Sequence, residues 1–478
     1  MEIKLLQSAY SPEYFRKRGH QLIDQLADHL DNTLNGKSDK VIRWNLPEDE
    51  YTYWKGFLAN GDGTQLFPEI VKHTTHVHNP KYIGHQVCPP APLASLSGLI
   101  SALLNNGMAI YEMGMAPSAI ERVITEFICS KIGYGDNSRG LLTSGGTLAN
   151  LTALLSARKA KVEHDVWNKG SNDDLGIMVS EEAHYCVDRA AKIMGLGEKG
   201  IIKIPATPGF SMDTSLLERY YQKSAAEGIT IFAIVGSAPS TATGIYDDLE
   251  AIAAFANKHN IWFHVDGAHG GASIFSLKYR YTVKGIAQAD SVVIDGHKMM
   301  MMPTITTALL FKDGDHSHAT FSQKADYLLD QSEDEDWYNM AKRTFECTKT
   351  MMSIQWYTLL KTYGEGIFDE YLTTLYDLGQ QLDEMIAIDP QFELAVKPMS
   401  NIVCFRYVDG SLNTSDLNQI NKHIRQQLLE EGEFYIVQTK LRGIQYLRTT
   451  IMNPFTSKKH LRQLLGKVKE IAKTSTAN

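Results

Sequence analysis

Between residues 140 and 311, short apolar runs alternate with helix-length segments, and this alternation restricts the fold more than any other feature of the chain. The runs LGIMVS (175–180), IIKIPA (201–206), IFAIVGS (231–237), IWFHVDG (261–267), SVVIDG (291–296) and TTALLF (306–311) are of strand length and largely without polar alternation. Strands of that kind are covered on both faces, and amphipathic stretches such as 248–259 supply the cover. The pattern predicts an α/β fold with a mostly parallel sheet.

The flanks read differently. Tyr14, Phe15, Leu22, Ile23, Leu26 and Leu30 recur at helical spacing in 11–34, and so broad an apolar face needs a partner. HNPKYIGHQVCPPAP (78–92) is an ordered loop, followed by helical patterns at 93–108 and 118–132. A long helical pattern covers 351–388; FELAVKP, NIVCFRYV, EFYIVQTKL and IQYLRTTIMN then alternate apolar and polar residues around a helical stretch at 414–431. The expected division is an N-terminal helical segment (1–95), a large α/β domain (96–350) and a small C-terminal α+β domain (351–478). The acidic QSEDEDWYN (331–339) is the most loop-like internal stretch.

Composition excludes several classes. A chain of 478 residues exceeds a single core. With 47 Lys and Arg against 55 Asp and Glu, a net charge of −8 and no basic stripe, nothing favours nucleic acid. The opening MEIKLLQSAYSPEYFRKRGH has no apolar core of signal-peptide length, and no uncharged apolar run reaches the roughly 18 residues of a membrane span. Five cysteines, an odd number without C-x-x-C spacing, fit reduced thiols and not a zinc site. A cytoplasmic protein without metal is the expectation.

Chemistry concentrates where strand-like runs end. Lys298, in SVVIDGHKMMMMP, follows one such run, a place where desolvation disfavours the ammonium. Asp266 ends IWFHVDG; carboxyl ends of parallel strands face one ligand crevice, so the two can meet. LLTSGGTLANLTALLSARKA runs from a strand through a glycine turn into a helix beginning near Thr147, and free N–H groups there suit a phosphate. It lacks the Lys of a G-x-x-x-x-G-K-[ST] loop, which disfavours ATP. His184, after LGIMVS, can stack on a flat ring. Taken singly, each has a plainer explanation: a snorkelling lysine, a loop-capping aspartate, an ordinary turn, a capping histidine.

Together, S-GGT-AN (144–150), H-Y (184–185), D-G-A-H-G-G (266–271) and D-G-H-K (295–298) closely resemble, in order and spacing, the group II pyridoxal-phosphate-dependent amino-acid decarboxylases, the aromatic amino acid and glutamate decarboxylase family. The resemblance runs from about residue 78 to 456. It implies a fold-type I, aspartate-aminotransferase-like architecture, a pyridoxal 5'-phosphate (PLP) cofactor, and a homodimer with active sites at the interface and N-terminal helices packed across it. Lys298 then resembles the Schiff-base lysine, Asp266 the partner of the pyridinium nitrogen, Ala268 the residue beneath the ring and His184 the stacking histidine. Gly146, Thr147 and His297 match phosphate contacts. Ser240, in GSAPSTATGIYDD, stands where relatives usually have Thr in a G-T-T sequence, with Pro239 in place of the usual glycine.

Arg448, in YLRTTIMNPF, resembles the arginine that meets the substrate carboxylate, and Tyr338, in DEDWYNM, the loop tyrosine that protonates the substrate carbon. His85 and Ser118 align with substrate-pocket positions. The implied reaction turns an L-amino acid into its amine and carbon dioxide. Acidic, aromatic and diamino substrates all stay open, as do another PLP-dependent lyase, an aminotransferase and a catalytically inactive homologue.

Overall fold

Each apolar run between 140 and 311 forms a strand where its pattern places one. The strands are β1 (Arg139–Thr143), β2 (Leu175–Ser180), β3 (Ile201–Ile204), β4 (Thr230–Ser237), β5 (Trp262–Asp266), β6 (Ser291–Asp295) and β7 (Thr307–Phe311). They lie in the order β1-β7-β6-β5-β4-β2-β3. The pairs from β3 to β6 are parallel, whereas β7 runs antiparallel to both β1 and β6. All residues of β2, β5, β6 and β7 are buried, as expected of strands covered on both faces.

The structure is a computed structural model that describes residues 3–38, 40–171, 173–321 and 337–476. Its contacts divide into two compact units. The larger, Gln86–Asp383 with Val396–Cys404, holds the seven-stranded sheet. The helix Gly146–Lys161 buries Leu151, Leu154 and Ala157 in a cluster with Val179, Val235, Trp262 and Val293. Full burial of each large apolar side chain contributes roughly 1.5–3 kcal/mol before entropy is counted. The helical pattern 351–388 is two helices, Ser353–Tyr363 and Gly366–Ala387, interrupted at Gly364, whose φ of +72° breaks the run.

The second unit joins Met1–His85 to Glu384–Ala395 and Phe405–Asn478, so the N-terminal helices share a unit with the C-terminal part. Backbone bonds tie them: Val41 N–H donates to the Gly432 carbonyl (2.8 Å), Ile83 N–H to that of Tyr435 (2.9 Å), and Thr450 N–H to that of Ile83 (3.0 Å). The C-terminal strands β8 (Phe392–Leu394), β9 (Ile402–Tyr407), β10 (Val437–Leu441) and β11 (Ile444–Thr450) form a sheet in the order β10-β11-β9-β8, and the helix Thr414–Glu431 falls on its predicted bounds. The helix Pro12–Leu34 leaves its apolar face open: Tyr14, Phe15, Ile23 and Leu26 are all exposed. No described helix is long and apolar enough to cross a membrane.

Candidate active site

Strand register brings the acidic residues to one edge of the large sheet. Asp266 ends β5 beside Ser237, the end of β4. Asp295 ends β6 opposite Thr307, which also faces Thr143 at the end of β1. The chain then leaves β6 through a single turn, Gly296–Met299, that carries Lys298 over this edge. A cavity of about 270 Å³ opens there, lined by Lys298, Asp266, Ala268, His184, Gly146, Thr147 and His297.

Charge is set by the neighbours. Burial by itself would lower the Lys298 pKa, but Asp295, with Oδ2 2.9 Å from Nζ, reverses the effect and the net shift is upward. Burial would raise Asp295; Lys298 and then His297 pull it below the usual carboxylate range. Thr307 Oγ1 donates to Asp295 Oδ1 at 2.6 Å and fixes its rotamer. His184 caps the helix Tyr185–Ile193, its Nδ1 accepting from Cys186 N–H at 3.3 Å, which fixes the ring. Burial lowers its pKa, so it presents a neutral aromatic face.

At the start of the helix Gly146–Lys161, Gly145 has φ of +112°, a conformation open to glycine. A Cβ on Gly146 would lie 3.1 Å from Asp295 Oδ1, so a side chain there would crowd the carboxylate beside Lys298. The first N–H groups of a helix have no intrahelical acceptor and point at whatever fills the turn. Asn150 braces it: Nδ2 donates to the Gly146 carbonyl (2.8 Å) while Oδ1 lies 2.8 Å from Nε2 of buried His264, whose Nδ1 lies 2.8 Å from Ser291 Oγ. Burial holds His264 neutral, its pKa lowered to about 4.

Other expected site residues fall elsewhere. Ser240 is buried, its hydroxyl 2.8 Å from that of Thr243, and its neighbours Pro239 and Thr241 line the cavity instead. Thr241, one position on, is the hydroxyl-bearing residue of this segment on the lining. Ser118 is fully buried in the helix Met115–Ile132 and does not line the cavity. Tyr338 packs edge-on against Tyr111, ring centroids 5.4 Å apart, outside the cavity lining; residues 331–336 of the acidic stretch lie outside the described residues.

Arg448 and His85 belong to the second unit. Arg448 is buried on β11, paired across the strand with Val437. His85 lies 5.7 Å from the Tyr435 ring, and burial, followed by the positive charges of Arg448 and Arg425, lowers its pKa.

Residues 69–408 match the model of the pyridoxal-dependent decarboxylase conserved domain. The chain belongs to the pyridoxal-dependent decarboxylases. It is therefore a PLP-dependent carboxy-lyase acting on an amino acid, and decarboxylation prevails over the aminotransferase and other lyase readings. It is 25% identical to an aromatic-L-amino-acid decarboxylase of Bacillus atrophaeus over 97% of this chain and 96% of that one. It is 27% identical to an aspartate 1-decarboxylase of Aliivibrio fischeri over 86% and 82%. Its structure resembles the glutamate decarboxylase domain of a diaminobutyrate-pyruvate transaminase and L-2,4-diaminobutyrate decarboxylase from Vibrio parahaemolyticus, with a TM-score of 0.81, 25% identity and coverage of 94% and 95%.

The cavity of this decarboxylase fits the cofactor part by part. It offers an amine for the aldehyde, a carboxylate for the ring nitrogen, an imidazole face for the ring, and a glycine-lined helix start for the phosphate. Sequence inspection passes over Asp295, Asn150 and Thr241 as members of this site. Asp295 and Asn150 stand inside D-G-H-K and S-GGT-AN, and the i to i+3 spacing of Asp295 and Lys298 is the signal that points to their contact.

Proposed function

We propose that Lys298 is the amine that binds PLP, and that Asp266 holds the proton on its ring nitrogen, His184 stacks on its face, Ala268 lies beneath it, and Gly146, Thr147 and His297 hold its phosphate. The convergence of Lys298, Asp266 and His184 on one cavity carries this reading. Held by these residues, PLP would supply an electron sink for the pair left at the substrate carbon by the departing carboxylate. Asp266, nine-tenths buried at the end of β5, keeps that ring protonated by proximity of opposite charge. Lys298 is charged beside Asp295 and has to give up its proton before it can attack the aldehyde.

Arg448 takes the substrate carboxylate through its two-pronged guanidinium, with His85 nearby as a neutral neighbour. Tyr338 is the acid that returns a proton to the substrate carbon. The substrate is an L-amino acid, and relatives acting on aromatic, acidic and diamino compounds leave its side chain to experiment.

The protein works as a cytoplasmic homodimer. Exposed apolar residues on Pro12–Leu34 and, on Pro92–Leu104, Leu99, Ile100, Leu103 and Leu104 support the dimer, because faces of this size are normally covered. Five cysteines, none of them in a disulfide, support a reducing compartment. The test is a panel of acidic, aromatic and diamino L-amino acids incubated with purified protein, with amines identified by mass and carbon dioxide measured. One class is expected to give both products in equal amounts; no amine from any member would end the proposal. Sedimentation should give twice the 53.5 kDa of one chain.

A further inference from the structure

Among the described residues β1 is an edge strand, paired with β7 on one side only. The outward N–H and C=O of Leu142, the residue two before Ser144, would have to find partners away from the sheet. They are met by a buried ion pair. Leu142 N–H donates to Glu121 Oε1 at 2.9 Å, and Lys349 Nζ donates both to the Leu142 carbonyl at 2.7 Å and to Glu121 Oε1 at 2.5 Å. The side chains are 0% exposed for Glu121 and 1% for Lys349. Three residues before Lys349, Glu346 accepts a hydrogen bond from the Ser144 hydroxyl, and Ser144 lines the cavity beside Gly145 and Gly146. The segment carrying both residues is tied along its length to 108–111: Met108 N–H donates to the Lys349 carbonyl, Ala341 N–H to that of Ala109, and Tyr111 N–H to Asn339 Oδ1.

We infer that the Glu121–Lys349 pair positions the phosphate cradle: by clamping both edge groups of Leu142 it sets the place of the Ser144–Gly146 turn, and Lys349, outside the cavity lining, governs how tightly the cofactor's phosphate is held. Burying two charges is expensive, and an apolar pair of similar volume fills such a space at equal or better stability. An apolar pair, however, leaves Leu142 uncapped. The turn then loses its anchor four residues upstream of the helix whose N–H groups receive the anion. Lys349 is thus a positioning residue, and the inference rests on the assignment of that turn to the phosphate.

The experiment compares two ligands by equilibrium dialysis of the purified protein: PLP, and pyridoxal, which has the same aldehyde and ring without the phosphate. The ratio of the two Kd values reports the phosphate's share alone. It should be large in the parent, fall by about tenfold or more in Lys349→Met and in Glu121→Leu/Lys349→Met, and recover in Lys349→Arg. Should the single variant fail to fold, the double variant, with its charges removed together, carries the test, with circular dichroism confirming its fold. A folded double variant with the parent's ratio overturns the inference. A parent ratio near one strikes at the phosphate assignment instead, so the two failures are told apart.

Discussion

Lys298 Nζ and Asp295 Oδ2 lie 2.9 Å apart within one helical turn, and Asp295 is only 2% exposed. This contact holds the pKa of the amine up against burial, which by itself would lower it. Replacing the carboxylate by an amide lets burial prevail, and the Lys298 pKa falls. Since the unprotonated amine attacks the aldehyde, uptake of PLP by cofactor-free Asp295→Asn protein should reach half its maximal rate about one pH unit or more lower than in the parent. Absorbance at roughly 420 nm follows the uptake. Equal midpoints would remove Asp295 from this role.

Lys298→Ala should release no amine above background, and borohydride should leave no cofactor attached to the chain. Mass spectrometry of borohydride-treated parent protein should place the adduct on Lys298. Product release by the variant at the parent's rate would rule this lysine out.

His184→Phe preserves a flat face and His184→Ala removes it. Aromatic pairing contributes about 0.5–1.5 kcal/mol, so the alanine variant should bind PLP up to about tenfold more weakly while the phenylalanine variant stays near the parent. Fluorescence titration decides, and equal weakening in both would argue for a hydrogen-bonding role.

Arg448→Lys keeps the charge and loses the fork. The expected result is a drop of about tenfold or more in kcat/KM with the cofactor absorbance unchanged. A variant as efficient as the parent would mean that the carboxylate is held elsewhere.

His264 makes stability depend on pH. Its folded pKa of about 4 lies below its ordinary 6.5, so the unfolded chain takes up a proton first as pH falls through 6.5, and stability declines until the folded form also titrates near 4. Between pH 7 and pH 5 this one group removes about 2 kcal/mol. Urea unfolding of parent and His264→Gln at both pH values measures it: the parent's loss should exceed the variant's by about that amount. Parallel losses would show that His264 is not the source.

Strand positions were readable from local pattern because continuous apolarity over five to eight residues already states that both faces are covered. The helix Thr414–Glu431 was equally plain, beginning at an Asn413 side chain that accepts from Ser415 and Asp416 and ending at Gly432 in the left-handed region. The break at Gly364 was harder to see, since apolar spacing continues on both sides of it. Ser240 shows another limit. A retained hydroxyl in a matched segment does not reveal which of two neighbouring residues lines the cavity: Ser240 meets Thr243, and Thr241 stands on the lining.

Consecutive residues alone determined the α/β class, the strand end that carries Asp266 and the one that precedes Lys298, and the glycine turn before the helix at Gly146, because each follows from short-range periodicity or from what a backbone without a Cβ can do. Tertiary structure alone decided the contacts among Glu121, Leu142 and Lys349, and the brace from Ser291 through His264 and Asn150 to Gly146. Apart from Asn150 and Gly146, which stand four positions apart, those partners are tens to hundreds of positions from one another. Their meeting depends on how helices pack around the sheet and on which edge groups packing leaves to be satisfied, and no local spacing encodes either.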